Sequence, residues 1–220
     1  KVLENGNING IDTNFFDSNL FSLSDNSKLK QELDIQSNEF VFLFVGRIVG
    51  DKGINELVAA FEKLISEHKN IKLLLVGPFE EELDPLSDKT TLIIKQNKQI
   101  ISVGYQNDVR PYFAIANVLV FPSYREGFPN VVMQAGAMGL PSIVTNINGC
   151  NEIIVNGENG IIIPVKNISA LKKEMRRLFE DTSLLLKLKY NSRPYIIDRY
   201  SQDLVWRAIL DEYKKILNDR

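Results

Sequence analysis

Short apolar runs of strand character alternate with segments of helical periodicity, and this limits the chain to few folds. Phe40-Val41-Phe42-Leu43-Phe44-Val45 is apolar at every position and ends at Gly46. A strand apolar on both faces belongs in a sheet covered on both sides, as central parallel strands are. After a short loop, Ile54, Leu57, Val58, Phe61, Leu64 and Ile65 fall at helical spacing. A second buried-type strand follows over 71–76, then a helix over 86–98 and strands over 100–103 and 118–121. Between those two strands a helical turn is expected to start at Asp108 as N-cap. The pattern continues with a helix over 130–138, strands over 141–145 and 160–163, and an amphipathic helix over 169–180. A Leu/Lys helix over 184–191 is expected to stop before Arg193-Pro194, leaving a terminal helix over 201–217. Residues 1–38 are polar and loop-like, with a short helix at 28–33. Repeated strand–helix alternation predicts an α/β, doubly wound parallel sheet with right-handed crossovers.

Composition removes several function classes. The chain has 220 residues, 44% of them apolar and 25% charged, which suits a globular body rather than a disordered one. At this length folding buries about two-thirds of the unfolded surface, so no disulfide or metal staple is required. The 26 basic and 28 acidic residues balance, which argues against a nucleic-acid platform built on phosphate neutralisation. One cysteine, Cys150, excludes an internal disulfide and points to a reducing, cytoplasmic setting. One histidine, His68, leaves almost no material for a zinc site or a Ser-His-Asp site. The opening residues show no signal-peptide pattern, so none is expected, no apolar run is long enough for a membrane-spanning helix, and the first residue is Lys1 rather than methionine. A piece of a longer protein is the expectation.

In a doubly wound sheet, ligands sit at the carboxyl ends of the strands. The loops over 46–53, 77–85, 104–108, 122–130 and 145–152 are therefore the candidates. The first reads GRIVGDKG, from Gly46 to Gly53. It fits neither a Walker A loop nor a dinucleotide fingerprint. It offers two cations, Arg47 and Lys52, beside a helix N-terminus, an arrangement suited to a diphosphate. A solvated basic pair beside a tight turn reads equally well. The fourth loop and its helix read PSYREGFPNVVMQAGAMGLP from Pro122 to Pro141. They display Glu126 at a strand end, with Gly127 for flexibility and Pro129 at a helix start. A lone Glu there would simply favour the helix dipole or pair with Arg125.

Taken together, GRIVGDKG, REGFPNVVMQAGAMGLP, INGCNEII and NGENGIIIP resemble the nucleotide-binding half of a retaining GT-B glycosyltransferase, family 4, group 1 type. The opening NGNINGIDTNFF is similar to that family's interdomain hinge. The resemblance implies a C-terminal Rossmann-like domain over 39–200, a hinge and lead-in over 1–38, and a C-terminal helix over 201–220. It also implies roles by position. Arg47 and Lys52 bind the donor diphosphate and stabilise the departing nucleotide, with Gly46 beside them. Glu126 matches the first acid of the family's paired-acid motif and contacts the transferred sugar. Gly127, Phe128 and Pro129 form the turn under sugar and phosphate, and Asn130 and Val131 lie near the phosphates. Gln134 stands in place of the second acid, which grips the ribose. It keeps hydrogen-bonding capacity but not the charge. Gly77 and Gly104-Tyr105 resemble the walls of the nucleobase pocket.

The implied activity is hexosyl transfer, with retention, from a UDP- or GDP-sugar to a glycan or lipid-linked acceptor in cell-surface polysaccharide synthesis. No metal or cofactor is implied, and no Asp-x-Asp triplet occurs. Acceptor recognition falls to a missing N-terminal domain, so this piece alone is expected to bind nucleotide without transferring sugar. Peripheral association with the inner face of the plasma membrane is compatible with such an enzyme. Two other classes stay open, a non-catalytic sugar-nucleotide module and a nicotinamide-dependent oxidoreductase. The remaining features take structural readings. His68 is a surface residue after its helix, and Cys150 fills space at a turn. Lys172, Lys173, Arg176 and Arg177 form a solvated face. The stripe Trp206, Ile209, Leu210, Tyr213, Ile216 and Leu217 reads as core, unless the last helix packs onto another domain.

Overall fold

A computed structural model describes residues 9–80, 82 and 84–218. Its strands are β1 (Phe40–Val45), β2 (Ile71–Val76), β3 (Ile100–Ser102), β4 (Val118–Phe121), β5 (Ser142–Thr145) and β6 (Gly160–Ile163). All pair in parallel, in the order β3-β2-β1-β4-β5-β6. This is the Rossmann-like, doubly wound sheet expected from the alternation. The helices are α1 (Leu23–Glu32), α2 (Ile54–Ile65), α3 (Asp88–Gln96), α4 (Arg110–Ile115), α5 (Asn130–Ala137), α6 (Cys150–Ile153), α7 (Ile168–Glu180), α8 (Thr182–Tyr200) and α9 (Gln202–Asn218). Every residue of β2 and β4 is buried, as the two-sided apolar runs require. Ile54, Leu57, Val58, Phe61 and Leu64 of α2 are fully buried, which explains why their spacing is helical. From β1 the chain passes outward through β2 to β3, then returns to pair β4 on the other side of β1. The crevice between the carboxyl ends of β1 and β4 is thus the topological switch point.

Several local expectations are corrected. The predicted helix at 28–33 is α1, which starts at Leu23 because Ser22 and Asp25 form a capping box. The helix expected over 86–98 is α3, shortened because the Ser87 hydroxyl accepts the Thr90 N–H at 3.2 Å. α4 starts where expected, beside Asp108, whose carboxylate accepts from the Arg110 N–H at 3.0 Å and from its guanidinium, while Val109 between them already has helical backbone and no side-chain cap bond.

The predicted break at Pro194 does not occur, since α8 runs through it to Tyr200. An internal proline costs about 3 kcal/mol. Burying Ile196 and Tyr200, both fully enclosed, contributes about 1.5–3 kcal/mol each, which outweighs it. Arg193 adds further ties, donating to the carbonyls of Thr13, Phe16 and Ala137 and to Asp17. Those bonds hold the lead-in segment to α5 and α8. Ile11 adds a parallel bridge to Ser201, and the hinge-like residues 5–8 lie outside the described residues.

The Trp206 stripe is not core. Val205 is the buried residue of α9, while Trp206, Leu210, Tyr213, Ile216 and Leu217 are about half exposed or more. The spacing is helical as read, but its apolar face has no described partner. The basic face of α7 is solvated and laced with ion pairs to Glu67, Glu174 and Glu180. His68 sits half-buried against Phe179 and within 3.2 Å of Glu180. Among the described residues no helix is long and apolar enough to cross a membrane.

Candidate functional site

Loop 46–53 leaves β1 and makes a single 3-10 turn, Gly50–Lys52, before α2. Loop 122–129 leaves β4 and enters α5. The two are pressed together. Gly53 adopts φ +71°, and a Cβ there would lie 2.2 Å from the Pro122 carbonyl oxygen. No other residue fits that approach without displacing a backbone. The Tyr124 N–H donates to the Asp51 carbonyl at 2.9 Å, adding a main-chain tie.

This contact joins two of the predicted residues directly. Lys52 Nζ donates to Glu126 Oε1 at 2.6 Å, with the two side chains only 14% and 16% exposed. A third group, not singled out from the sequence, completes the cluster. Ser123 is fully buried, and its hydroxyl donates to the same Glu126 oxygen at 2.7 Å. The Thr145 hydroxyl, at the end of β5, donates in turn to the Ser123 carbonyl.

Arg47 stands at the mouth of the same crevice but does not touch Lys52 or Glu126. Its guanidinium holds Glu80 at 2.8 Å, and Glu80 raises its pKa further above the ordinary arginine value. Nothing in the sequence pattern marked Glu80. Gly77 and Gly104 lie at the ends of β2 and β3, joined by a 2.8 Å bond from the Gly77 N–H to the Gly104 carbonyl. Tyr105 beside them is 71% exposed.

The turn Gly127-Phe128-Pro129 rests on the loop after β5. A Cβ on Gly149, which has φ +75°, would lie 2.4 Å from the Gly127 carbonyl oxygen. The Phe128 ring packs edge-on against Tyr200, whose hydroxyl donates to the Glu152 carbonyl. No side chain caps the first turn of α5. Asn130 is exposed there, while Val131 is partly buried against the core. Gln134 is half-buried one turn further along.

Cys150 is fully buried next to this cluster. Burial first, and the Glu126 charge second, push its thiol up to about 12. It is therefore a protonated space-filler, as its position at a turn implied. Tyr124, between Arg125 and the strand end, donates its hydroxyl to Glu56 at 2.6 Å. Burial and that acceptor hold its proton well above the usual phenol range. Among the described residues no group of three or more His, Cys, Asp or Glu side chains is arranged to hold a metal ion.

The fold is that of a Rossmann-like, doubly wound protein, and its switch-point crevice, where ligands of such folds sit, carries two cations facing carboxylates. Comparison with known proteins makes this specific. Residues 25–194 match the family described as glycosyl transferases group 1, and the chain belongs to that family. It is 33% identical over 219 residues to the capsular polysaccharide biosynthesis glycosyltransferase CapM of Staphylococcus aureus, covering 99% of this chain and 56% of the relative. A crystal structure of a glycosyltransferase from Rickettsia africae superposes with a TM-score of 0.86 at 26% identity, covering 96% of this chain and 57% of that one. Anabaena HepE in complex with UDP shares the fold at 22% identity and a TM-score of 0.85, covering 94% and 56%. The chain spans about half the length of the curated relatives it matches.

Proposed function

We propose that this chain is the donor-binding half of a retaining glycosyltransferase that works without a bound metal. It would move a hexosyl unit from a UDP-sugar to a polysaccharide or lipid-linked acceptor. The observation that carries the reading is the Lys52–Glu126 pair at the switch point, with Arg47 two residues beyond β1 in the same crevice. The UDP complex of HepE and the polysaccharide role in the name of CapM support the choice of donor and pathway.

In this reading each residue has a chemical task. Arg47 and the remaining N–H groups of Lys52 take the diphosphate. As the glycosidic bond breaks, they stabilise charge on the leaving nucleotide, where preorganised donors act most strongly. Binding the diphosphate requires Arg47 to exchange Glu80 for phosphate. That exposed pair is worth about 0–1 kcal/mol, so the exchange is cheap. Glu126 positions the sugar and stabilises the cationic character of its anomeric carbon in the transition state. The Gly127–Pro129 turn and the uncapped first turn of α5 lie beneath sugar and phosphate. Gln134 hydrogen-bonds the ribose, and Gly77, Gly104 and Tyr105 border the base. The acceptor would be bound by a further domain, and the isolated chain would bind donor without transferring its sugar.

The test is a thermal-shift series with UDP-, GDP- and ADP-sugars and with NAD. The reading expects stabilisation by UDP-sugars above the rest. A response to NAD alone would replace it with an oxidoreductase.

A further inference from the structure

Glu126 has two carboxylate oxygens, and the structure treats them differently. Oε1 receives both Lys52 Nζ at 2.6 Å and Ser123 Oγ at 2.7 Å. Among the described residues Oε2 accepts no hydrogen bond. Ser123 is the unusual partner. It is wholly enclosed and has one hydroxyl proton. Three oxygens compete for that proton, the carbonyls of Asp51 at 3.4 Å and Arg125 at 3.2 Å and the Glu126 carboxylate at 2.7 Å. The charged, shortest acceptor wins, because hydrogen bonds to an ionised group are about twice as strong as neutral ones. Ser123 is itself fixed by the Thr145 hydroxyl on its carbonyl, so the chain of contacts runs from the end of β5 to the carboxylate.

We infer that Ser123 is a positioning residue for Glu126, engaging Oε1 so that Oε2 is left turned toward the hydroxyls of the donor sugar. The inference rests on the donor-binding reading given above. Lys52 alone fixes one point on the carboxylate and leaves it free to swivel about that contact. A second donor on the same oxygen, from a rigid and buried site, removes that freedom. Side chains held this way keep a productive geometry without reorganisation when ligand arrives. The diphosphate falls to Arg47 and to the N–H groups of Lys52 not given to Glu126, and Ser123 bonds to neither, so loss of its hydroxyl should separate sugar from nucleotide.

The experiment titrates the chain with UDP and with the tightest-binding of UDP-glucose, UDP-galactose and UDP-N-acetylglucosamine. Ser123→Ala is compared in the parent and in a Glu126→Ala background. The variant only removes one oxygen from an enclosed site, and its UDP affinity reports whether the fold is intact. The expected result is about ten-fold weaker UDP-sugar binding with UDP binding within about two-fold, the scale of one charge-assisted hydrogen bond. In the Glu126→Ala background the serine change should add less than about two-fold, because it acts through the missing carboxylate. An equal loss for UDP and UDP-sugar, an unchanged UDP-sugar affinity, or the same loss without Glu126 each overturns the inference. Failure of the parent to bind UDP is a different outcome. It refutes the donor reading, and the inference falls with it.

Discussion

The Lys52–Glu126 pair makes a prediction about stability that needs no ligand. Replace Lys52 by Met, which keeps most of the aliphatic stem and removes the charge. Exposed ion pairs contribute about 0–1 kcal/mol, whereas breaking a buried one costs about 3–5 kcal/mol because a bare charge remains. This pair lies between those limits but nearer the buried one, at 2.6 Å with 14% and 16% exposure. The orphaned carboxylate would keep the Ser123 hydroxyl, which lowers the cost. A loss of about 2 kcal/mol follows, the value of a hydrogen bond to a charged group. In a domain of this size that lowers Tm by about 4–8 °C. The assay is urea and thermal unfolding of Lys52→Met, Glu126→Gln and the double variant. The double variant should recover about 1.5 kcal/mol relative to additivity, because removing the second partner removes the bare charge. Single variants within about 0.5 kcal/mol of the parent, combined with strict additivity, would refute the claim that this pair joins the two loops.

Two further predictions concern packing around the site. Gly149→Ala places a methyl group 2.4 Å from the Gly127 carbonyl in a left-handed conformation. It should cost at least about 1 kcal/mol and displace the Gly127–Pro129 turn, seen as a lower Tm and, on the proposed donor reading, weaker UDP-sugar binding. Parent-like values for both would contradict the contact. Cys150, with its thiol pushed up to about 12, should resist iodoacetamide at pH 8 in the folded protein and react once urea unfolds it. Its raised pKa also fixes a sign. The stabilisation is fully present below the unfolded thiol's pKa of about 8.5 and is lost as pH rises through the folded value near 12. Rapid labelling of the native protein at pH 8 would show that the thiol is not enclosed.

The strands were legible because their physical requirement is simple. Phe40 to Val45 and Ile71 to Val76 are apolar on both faces, and only a doubly covered sheet satisfies that. The candidate loops were legible for the same reason, since their place at the carboxyl ends of the strands follows from alternation, whereas the strand order that makes the β1–β4 crevice the switch point comes from the pairing. Pro194 was misread because a local rule met a stronger tertiary one. The burial of Ile196 and Tyr200 and the Arg193 ties are decided by residues far away in the chain. Periodicity found the Trp206 stripe but carries no information about what covers it. Within the site, Lys52 and Glu126 stood out as charges at strand ends. Ser123 did not, since its importance lies in a turn that folds its hydroxyl onto the residue three positions later. Glu80 meets Arg47 from another loop, a contact no local pattern encodes.

On the proposed reading, the crevice between β1 and β4 binds a nucleoside diphosphate through Arg47 and Lys52. Calorimetric titration with UDP tests it most directly. One saturable site is expected, weakened about 10- to 100-fold by Arg47→Ala, the equivalent of one charged hydrogen bond. No saturable binding, or equal affinity in the parent, Arg47→Ala and Lys52→Ala, would contradict it.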